Sequence, residues 1–371
     1  MPAIGSWSHT GFAQKIHFGT GEIDAVGTIL RDLGLRRVML VTTEGRAASP
    51  AGERLQRSVG RAIESTFTGV RPHVPTTVVQ EALRQAHRDG IDGVLSFGGG
   101  SCADLGKAVC WFLEQESGAP GSSYADRPTI SHVAIPTTYS GAELTGFFGM
   151  TDEAARSKTG AGGPTIVPVA AVYDPDITRS TPPRVSAETG MNCLAHGVEA
   201  AWSPYRTPEA EALAISCIER VADALPRVVD APDDLGARND MFIAAVLGGR
   251  CLHNAQMGVH HGLSQLLGGR TGIPHGLANA LILPHAIAFN ADAAAEEVRR
   301  IGRALGDEGD AAGAAARLRE RVGLPHGLSD VGVTDDDIAA VARMSQGNQS
   351  VRANPRPVSE ADALAILEAA W

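Results

Sequence analysis

The sequence predicts two domains, an α/β N-terminal domain with a parallel sheet over residues 1–179 and an all-helical domain over residues 180–371. Two observations carry that division. In the first half, short β-branched and apolar runs alternate with stretches of helical period, the pattern of strands joined by crossover helices. From Pro182 onward the period is helical throughout and no strand pattern recurs. The length of 371 residues agrees, because such a chain outgrows one ordinary core.

In chain order, KIHFG at 15–19 reads as a short strand closed by glycine, and residues 23–33 carry apolar side chains at helical spacing. RVMLVTT at 37–43 is a continuous apolar strand of the kind buried on both faces. Thr77 and Gln80 have the spacing of a capping box, which predicts a helix that Gly90 stops. IDGVLSF at 91–97 is the next strand and runs into Gly98, Gly99, Gly100 and Ser101, followed by a helix over 102–113. HVAIP at 132–136 and TIVPVAAVY at 165–173 are two further strands, and the turn Asp174-Pro175-Asp176 leads to the boundary near Arg179.

Composition narrows the class. Hydrophobic content of 43% and charged content of 20% are those of a folded protein. A net charge of −10 without any basic stretch argues against nucleic-acid binding, while leaving room for an anionic small substrate held by local cations. The five cysteines include no CxxC pair and sit among apolar or small residues, so they read as free buried thiols. The N-terminal residues lack a basic start and an apolar run, and no apolar segment approaches the ~20 residues that span a bilayer. A cytoplasmic protein without membrane contact is expected.

A glycine cluster that ends a strand and opens a helix lets backbone N–H groups approach a phosphate at the positive end of the helix dipole. Gly98 to Ser101 have that placement, which suits a dinucleotide, although GGGS could also make a simple tight turn. Asp104 and Lys107 follow one helical turn apart, where Lys107 can face a phosphate or ribose; an ordinary salt bridge is the plainer reading. Thr137, Thr138, Tyr139 and Ser140 supply hydroxyls at the next strand end, and two such ends in one parallel sheet suggest a shared ligand crevice.

The second half gathers histidines. Asn192, His196 and Glu199 are spaced i, i+4, i+7 on a helix over 186–202, and His261 and Gln265 share a face of a helix over 241–267. His275 opens the next helix after a turn at 268–274. Asn192, His196, His261 and His275 can therefore converge on one point, the geometry of a metal or catalytic centre. His260 and His285, in the same apolar stretch, read as structural.

The strings FGGGSCADLGKAV, AIPTTYSGAELT and TGMNCLAHGVEA, with the spacing of His261 to PHG at 274–276, resemble the iron-containing alcohol dehydrogenase family over nearly the whole chain. VYDPDIT at 172–178, MGVHH at 257–261 and ANPRP at 353–357 are most similar to its maleylacetate reductase branch. The resemblance implies the dehydroquinate synthase-like fold, with a dinucleotide-binding domain, a helical domain and the active site in the cleft between them. It implies a family metal site of one aspartate and three histidines, whose histidines correspond to His196, His261 and His275 while Asn192 stands in the aspartate's place. Losing the only anionic ligand disfavours a hard divalent ion, so a metal-free, degenerate site is expected.

For the cofactor, the resemblance implies that Gly98, Gly99, Gly100 and Ser101 cradle the pyrophosphate, with Asp104 and Lys107 beside them. Thr137, Thr138 and Tyr139 then line the nicotinamide and ribose, and Lys158 faces the ribose. Thr43 stands where an aspartate often selects NAD, which leaves either NAD or NADP possible. Where the family tends to place a further histidine stands Gln265, which transfers no proton near neutral pH. The implied activity is NAD(P)H-dependent reduction of maleylacetate-like 4-oxo-enoic dicarboxylates by a homodimer. The alternatives are a metal-dependent alcohol or aldehyde dehydrogenase and a non-redox biosynthetic enzyme on the same scaffold.

Overall fold

The computed structural model describes residues 7, 9–155 and 157–371. Its strands are β1 (Lys15–Phe18), β2 (Val38–Val41), β3 (Ile63–Phe67), β4 (Gly93–Gly98), β5 (Ser131–Pro136), β6 (Phe147–Asp152), β7 (Ser157–Gly162) and β8 (Ala170–Tyr173). The helices of the first half are α1 (Val26–Asp32), α2 (Glu44–Ala47), α3 (Pro50–Val59), α4 (Thr76–Asp89) and α5 (Gly100–Glu116). Those of the second half are α6 (Pro183–Trp202), α7 (Pro208–Asp230), α8 (Leu235–Asn254), α9 (Val259–Thr271), α10 (His275–Asn290), α11 (Ala295–Ala304), α12 (Ala311–Arg321), α13 (Asp335–Ser345), α14 (Gln349–Arg352) and α15 (Glu360–Ala369).

Two compact units result. One holds residues 10–138 and 142–181, and the other holds residues 182–371 with 139–141 and the described N-terminal residues 7 and 9. The three-residue excursion at 139–141 lay beyond sequence reading, because nothing local marks it. In the α/β unit six strands form a parallel sheet in the order β1-β8-β5-β4-β2-β3. Both faces are covered: Leu95, Phe97, Val133 and Val172 pack with Val26, Leu30 and Leu55 on one side, and Val41 and Val94 pack with Val79, Leu105 and Val109 on the other. This two-sided burial is why β2 and β4 read as unbroken apolar runs.

Several expectations change. β3 and α3 have no counterpart in the sequence reading, since IESTF alternates weakly and ends on a single buried phenylalanine. β6 and β7 form an antiparallel hairpin: FFGMTD of β6 does not alternate, and SKTGAG of β7 is polar and glycine-rich, so neither shows a strand period. The strand expected over 165–173 shrinks to β8, because Pro164–Ile166 make a 3₁₀ turn first. The capping box at Thr77 does not form: the N-cap of α4 is Pro75, and the Thr77 hydroxyl donates to Glu153 instead. Gly90 does end α4 in the left-handed conformation, with φ of 57°.

The second unit is helical throughout its described residues. Its main revision concerns the single helix expected over 241–267, which breaks into α8 and α9 at residues 255–258. Among the described residues no helix is long and apolar enough to cross a membrane.

Candidate active site

The glycine loop lies at the end of β4 and opens α5, with Gly99 as N-cap. Gly98 has φ of 149°, and a Cβ there would lie 2.5 Å from Cys102 Sγ, so both backbone and space demand glycine. A Cβ on Gly99 would sit 3.2 Å from Thr138 Cγ2, so the two strand-end loops abut. Gly100 and Ser101 form the first turn of α5, half-buried. At the end of β5 the hydroxyls of Thr137 and Thr138 are buried without a hydrogen-bond partner. Buried hydroxyls are ordinarily satisfied, so this pair is a pointer to a ligand. A backbone-lined turn beside two unspent hydroxyls fits a dinucleotide's pyrophosphate and ribose.

Three expected cofactor contacts, Asp104, Lys107 and Tyr139, have their side chains engaged elsewhere. Lys107 is fully buried, and its ammonium is spent on Asp104 Oδ1 at 2.9 Å, Ala142 O at 2.8 Å, Thr145 Oγ1 at 3.1 Å and the Phe147 carbonyl. An ammonium has three protons to donate, so none is left for a phosphate; Lys107 and Asp104 clip α5 to the 142–147 segment. Tyr139 sends its ring into the helical unit, edge-on to Phe242 with centroids 5.9 Å apart and its hydroxyl 3.4 Å from buried Arg238. Core packing claims a side chain that the local sequence presents as a ligand contact. Thr43 caps α2, its hydroxyl accepting from Arg46 N at 3.3 Å. Lys158 lies on β7, where burial lowers its pKa against the opposing pull of Asp104.

The histidines do meet. His196 on α6 stacks on His261 of α9 with ring centroids 4.9 Å apart, and His275 at the start of α10 lies 6.2 Å from His261. Gly276 makes the approach of α10 possible, since a Cβ there would strike the Glu188 carbonyl oxygen of α6 at 2.6 Å. Asn192, one turn before His196, accepts from Asn279 Nδ2 at 2.7 Å. Gln265 lies half-buried one turn beyond His261. His260 takes the structural place expected of it, its Nε2 2.9 Å from the Asn279 carbonyl oxygen. His285 lies outside the cluster, its pKa lowered by burial and then by Arg319.

Glu199 and Asn279 are the residues that sequence reading left without a role. Glu199 is fully buried; its Oε2 lies 2.5 Å from His261 Nδ1. Burial alone would raise the carboxyl pKa, but the contacts with His260 and His261 outweigh it and hold the group well below the ordinary carboxylate range. The histidines are shifted down, His196 chiefly by burial and then by the charge of His261, and His261 by burial against the pull of Glu199. The helical spacing of Glu199 to His196 was the available signal; its partner on α9 was not visible.

Could these residues hold the divalent ion that the sequence resemblance implies? His196 Nδ1 and His261 Nε2 are buried without a partner, as ligand nitrogens would be. The rest of the set fits iron poorly. Asn192 offers an amide oxygen already engaged by Asn279, and the nearby carboxylate, Glu199, is turned to His261 Nδ1 and the backbone of α9. Hard divalent ions want an anionic oxygen; the one at hand is Glu199, whose carboxylate groups with His260 and His261 closely enough to hold an ion but is spent on the backbone of α9 and on His261 Nδ1.

A nucleotide-fitting turn on a parallel sheet and a histidine cluster on a helical unit define a class, and comparison with known proteins agrees. Residues 13–175 match the profile of iron-containing alcohol dehydrogenases, and residues 186–371 match the C-terminal profile of the same family. The chain belongs to the iron-containing alcohol dehydrogenase family and is an oxidoreductase, which sets aside the non-redox alternative. It is 32% identical to a maleylacetate reductase of Pseudomonas knackmussii over 357 residues, covering 96% of this chain and 95% of that protein. The maleylacetate reductase structure from Agrobacterium tumefaciens superimposes with a TM-score of 0.86 at 31% identity, over 99% of this chain and 98% of that one. An iron-containing alcohol dehydrogenase from Corynebacterium glutamicum gives the same TM-score at 30% identity, over 98% and 96%.

Proposed function

We propose that the protein is an NAD(P)H-dependent, metal-free reductase of maleylacetate-like 4-oxo-enoic dicarboxylates, giving 3-oxoadipate-type products. The observation that carries this reading is the histidine cluster whose fourth member is the hydrogen-bonded amide of Asn192 rather than a carboxylate. Its likeness to maleylacetate reductases at about a third identity supports the substrate class.

The glycine turn at Gly98–Ser101 would hold the nucleotide through backbone N–H groups, and the hydroxyls of Thr137 and Thr138 would position its ribose and nicotinamide. When bound, the reduced nicotinamide supplies hydride to the alkene carbon β to the ketone. The residues of the cluster then have one task, to stabilise the negative charge that develops on the conjugated ketone oxygen. His261 suits it best, because Glu199 against its far nitrogen opposes the lowering of its pKa by burial, whereas His196 is lowered by burial and further by the charges of His261 and His260. A proton on the α carbon completes the balance of one hydride and one proton. The side-chain amide of Gln265 is no source for that proton, so Gln265 would orient substrate while the proton arrives through a histidine or water.

The test is direct. Chelator-treated protein should consume NADH or NADPH with maleylacetate; silence with maleylacetate, together with alcohol oxidation on adding iron or zinc, would establish the metal-dependent dehydrogenase instead. That second reading draws on the two partnerless ring nitrogens and would require three imidazoles to hold the ion unaided. Dimerisation belongs to the same proposal: β1 is an edge strand of the sheet, and light scattering should return twice the 38.6 kDa chain mass.

A further inference from the structure

The break between α8 and α9 leaves the head of α9 inside the protein, where its unbonded N–H groups need acceptors. All four find them. Glu199 Oε1 accepts from the N–H of Gly258 at 3.0 Å and of His260 at 3.1 Å, and Oε2 accepts from the N–H of His261 at 3.1 Å. Asn354 Oδ1 accepts from Val259 N–H at 3.3 Å. A Cβ on Gly258 would meet Glu199 Oε1 at 2.8 Å and Asn354 Oδ1 at 2.9 Å, so the helix start is built tightly around these two oxygens.

The hydrogen-bond directions then follow in order. The Asn279 carbonyl oxygen can only accept, so His260 Nε2 donates to it, and in a neutral ring His260 Nδ1 is left an acceptor. His261 Nδ1 lies 3.3 Å from that nitrogen and 2.5 Å from Glu199 Oε2. Both neighbours accept, so His261 Nδ1 carries the proton. Its Nε2 is buried without a partner, on a ring that stacks on His196.

We infer that Glu199 is a positioning residue that holds His261 with Nδ1–H on the carboxylate and Nε2 turned to the histidine cluster as its working atom. The same carboxylate that caps the helix sets the tautomer, so the orientation of His261 and the formation of α9 are one event. The cap bonds from Gly258 and His260 ask only for Oε1, which an amide oxygen would replace. The Oε2 side faces both the backbone N–H and Nδ1 of His261, and only a carboxylate offers a second acceptor there. This rests on His261 belonging to the reaction centre.

Nitrogen-15 spectra of histidine-labelled protein at pH 9, above the ordinary histidine range, read the tautomer without substrate. Wild type should show His261 protonated at Nδ1, and an Nε2–H form would overturn the inference at once. Glu199→Gln places an amide N–H against Nδ1 and should switch the tautomer. It should lower kcat by about 10²–10⁴-fold, the range for a lost or misdirected general acid–base group, with KM for the nucleotide changed less than about threefold. Asn354→Ala removes a cap of the same helix but leaves the Glu199 contact, so it should cost stability with the wild-type tautomer and nearly wild-type kcat. An unswitched tautomer in Glu199→Gln, or an equal loss of kcat in Asn354→Ala, would reduce Glu199 to a structural cap. A correct tautomer in a protein that ignores maleylacetate would overturn only the substrate assignment.

Discussion

At position 192 an amide oxygen accepts a hydrogen bond from Asn279 at 2.7 Å and completes a cluster of three imidazoles. Its neutrality decides what the cluster can bind. Asn192→Asp should restore an anionic ligand and raise divalent-metal affinity by an amount on the scale of ~10–100-fold, the size of effects seen when groups around metal ligands are altered. Elemental analysis after dialysis against limiting iron or zinc measures it. Gly99 is the corresponding test of the nucleotide turn. Gly99→Asp crowds Thr138, 3.2 Å from the new Cβ, and sets a carboxylate where phosphate is expected. Fluorescence titration should show NADH and NADPH binding abolished, while an unchanged Kd would move the cofactor elsewhere.

Among the elements, α9 depends most on its surroundings. MGVHHGLSQLLGG reads as the continuation of the preceding helix, yet the chain stops at Asn254 and restarts at Val259, because Glu199 and Asn354 claim the N–H groups that a continuous helix would bond internally. The ANPRP string, similar to a family pattern in sequence, thereby acquires a physical task in Asn354. Gly258→Ala would force a methyl group against both oxygens and should lower stability by about 1–3 kcal/mol, the usual cost of overpacking, read from urea unfolding. α5 has its own anchor in Lys107, whose ammonium meets one carboxylate, two carbonyl oxygens and a hydroxyl. Lys107→Ala strands those acceptors and should cost roughly 1–3 kcal/mol or more, with nucleotide Kd little altered if the lysine's role is structural.

Across the whole molecule, buried histidines tie stability to pH. His132, in the centre of the sheet beside Ser96 Oγ at 2.7 Å, has its pKa pushed down to about 3 by burial and then by Lys107. The unfolded chain takes up this proton near the ordinary histidine value of 6.5, while the folded protein refuses it until about 3. The stabilisation is therefore complete above pH 6.5, is lost as pH falls through the window down to 3, and changes little further below. Each such group contributes a slope of about 1.4 kcal/mol per pH unit. Urea midpoints recorded between those limits should fall steadily, and His132→Gln should flatten the slope.

Apolar runs, helical periods and glycine stops in the sequence determined the α/β-then-helical order and the place of the glycine turn, because these depend on spacing within single elements; the clustered histidines, which come from three helices, were marked by spacing together with the family resemblance. β6, FFGMTD without alternation, and the polar, glycine-rich β7 escaped the same reading for want of a strand period. Only the tertiary structure decided that Lys107 is a buried clip, that Tyr139 belongs to the helical core, that one expected helix is two, and that Glu199 governs His261. Each of those outcomes is a contact between residues far apart in the chain: 62 positions separate Glu199 from His261 and 99 separate Tyr139 from Arg238. A side chain's role follows from which partner reaches it first, and local sequence carries no record of partners that folding alone brings near.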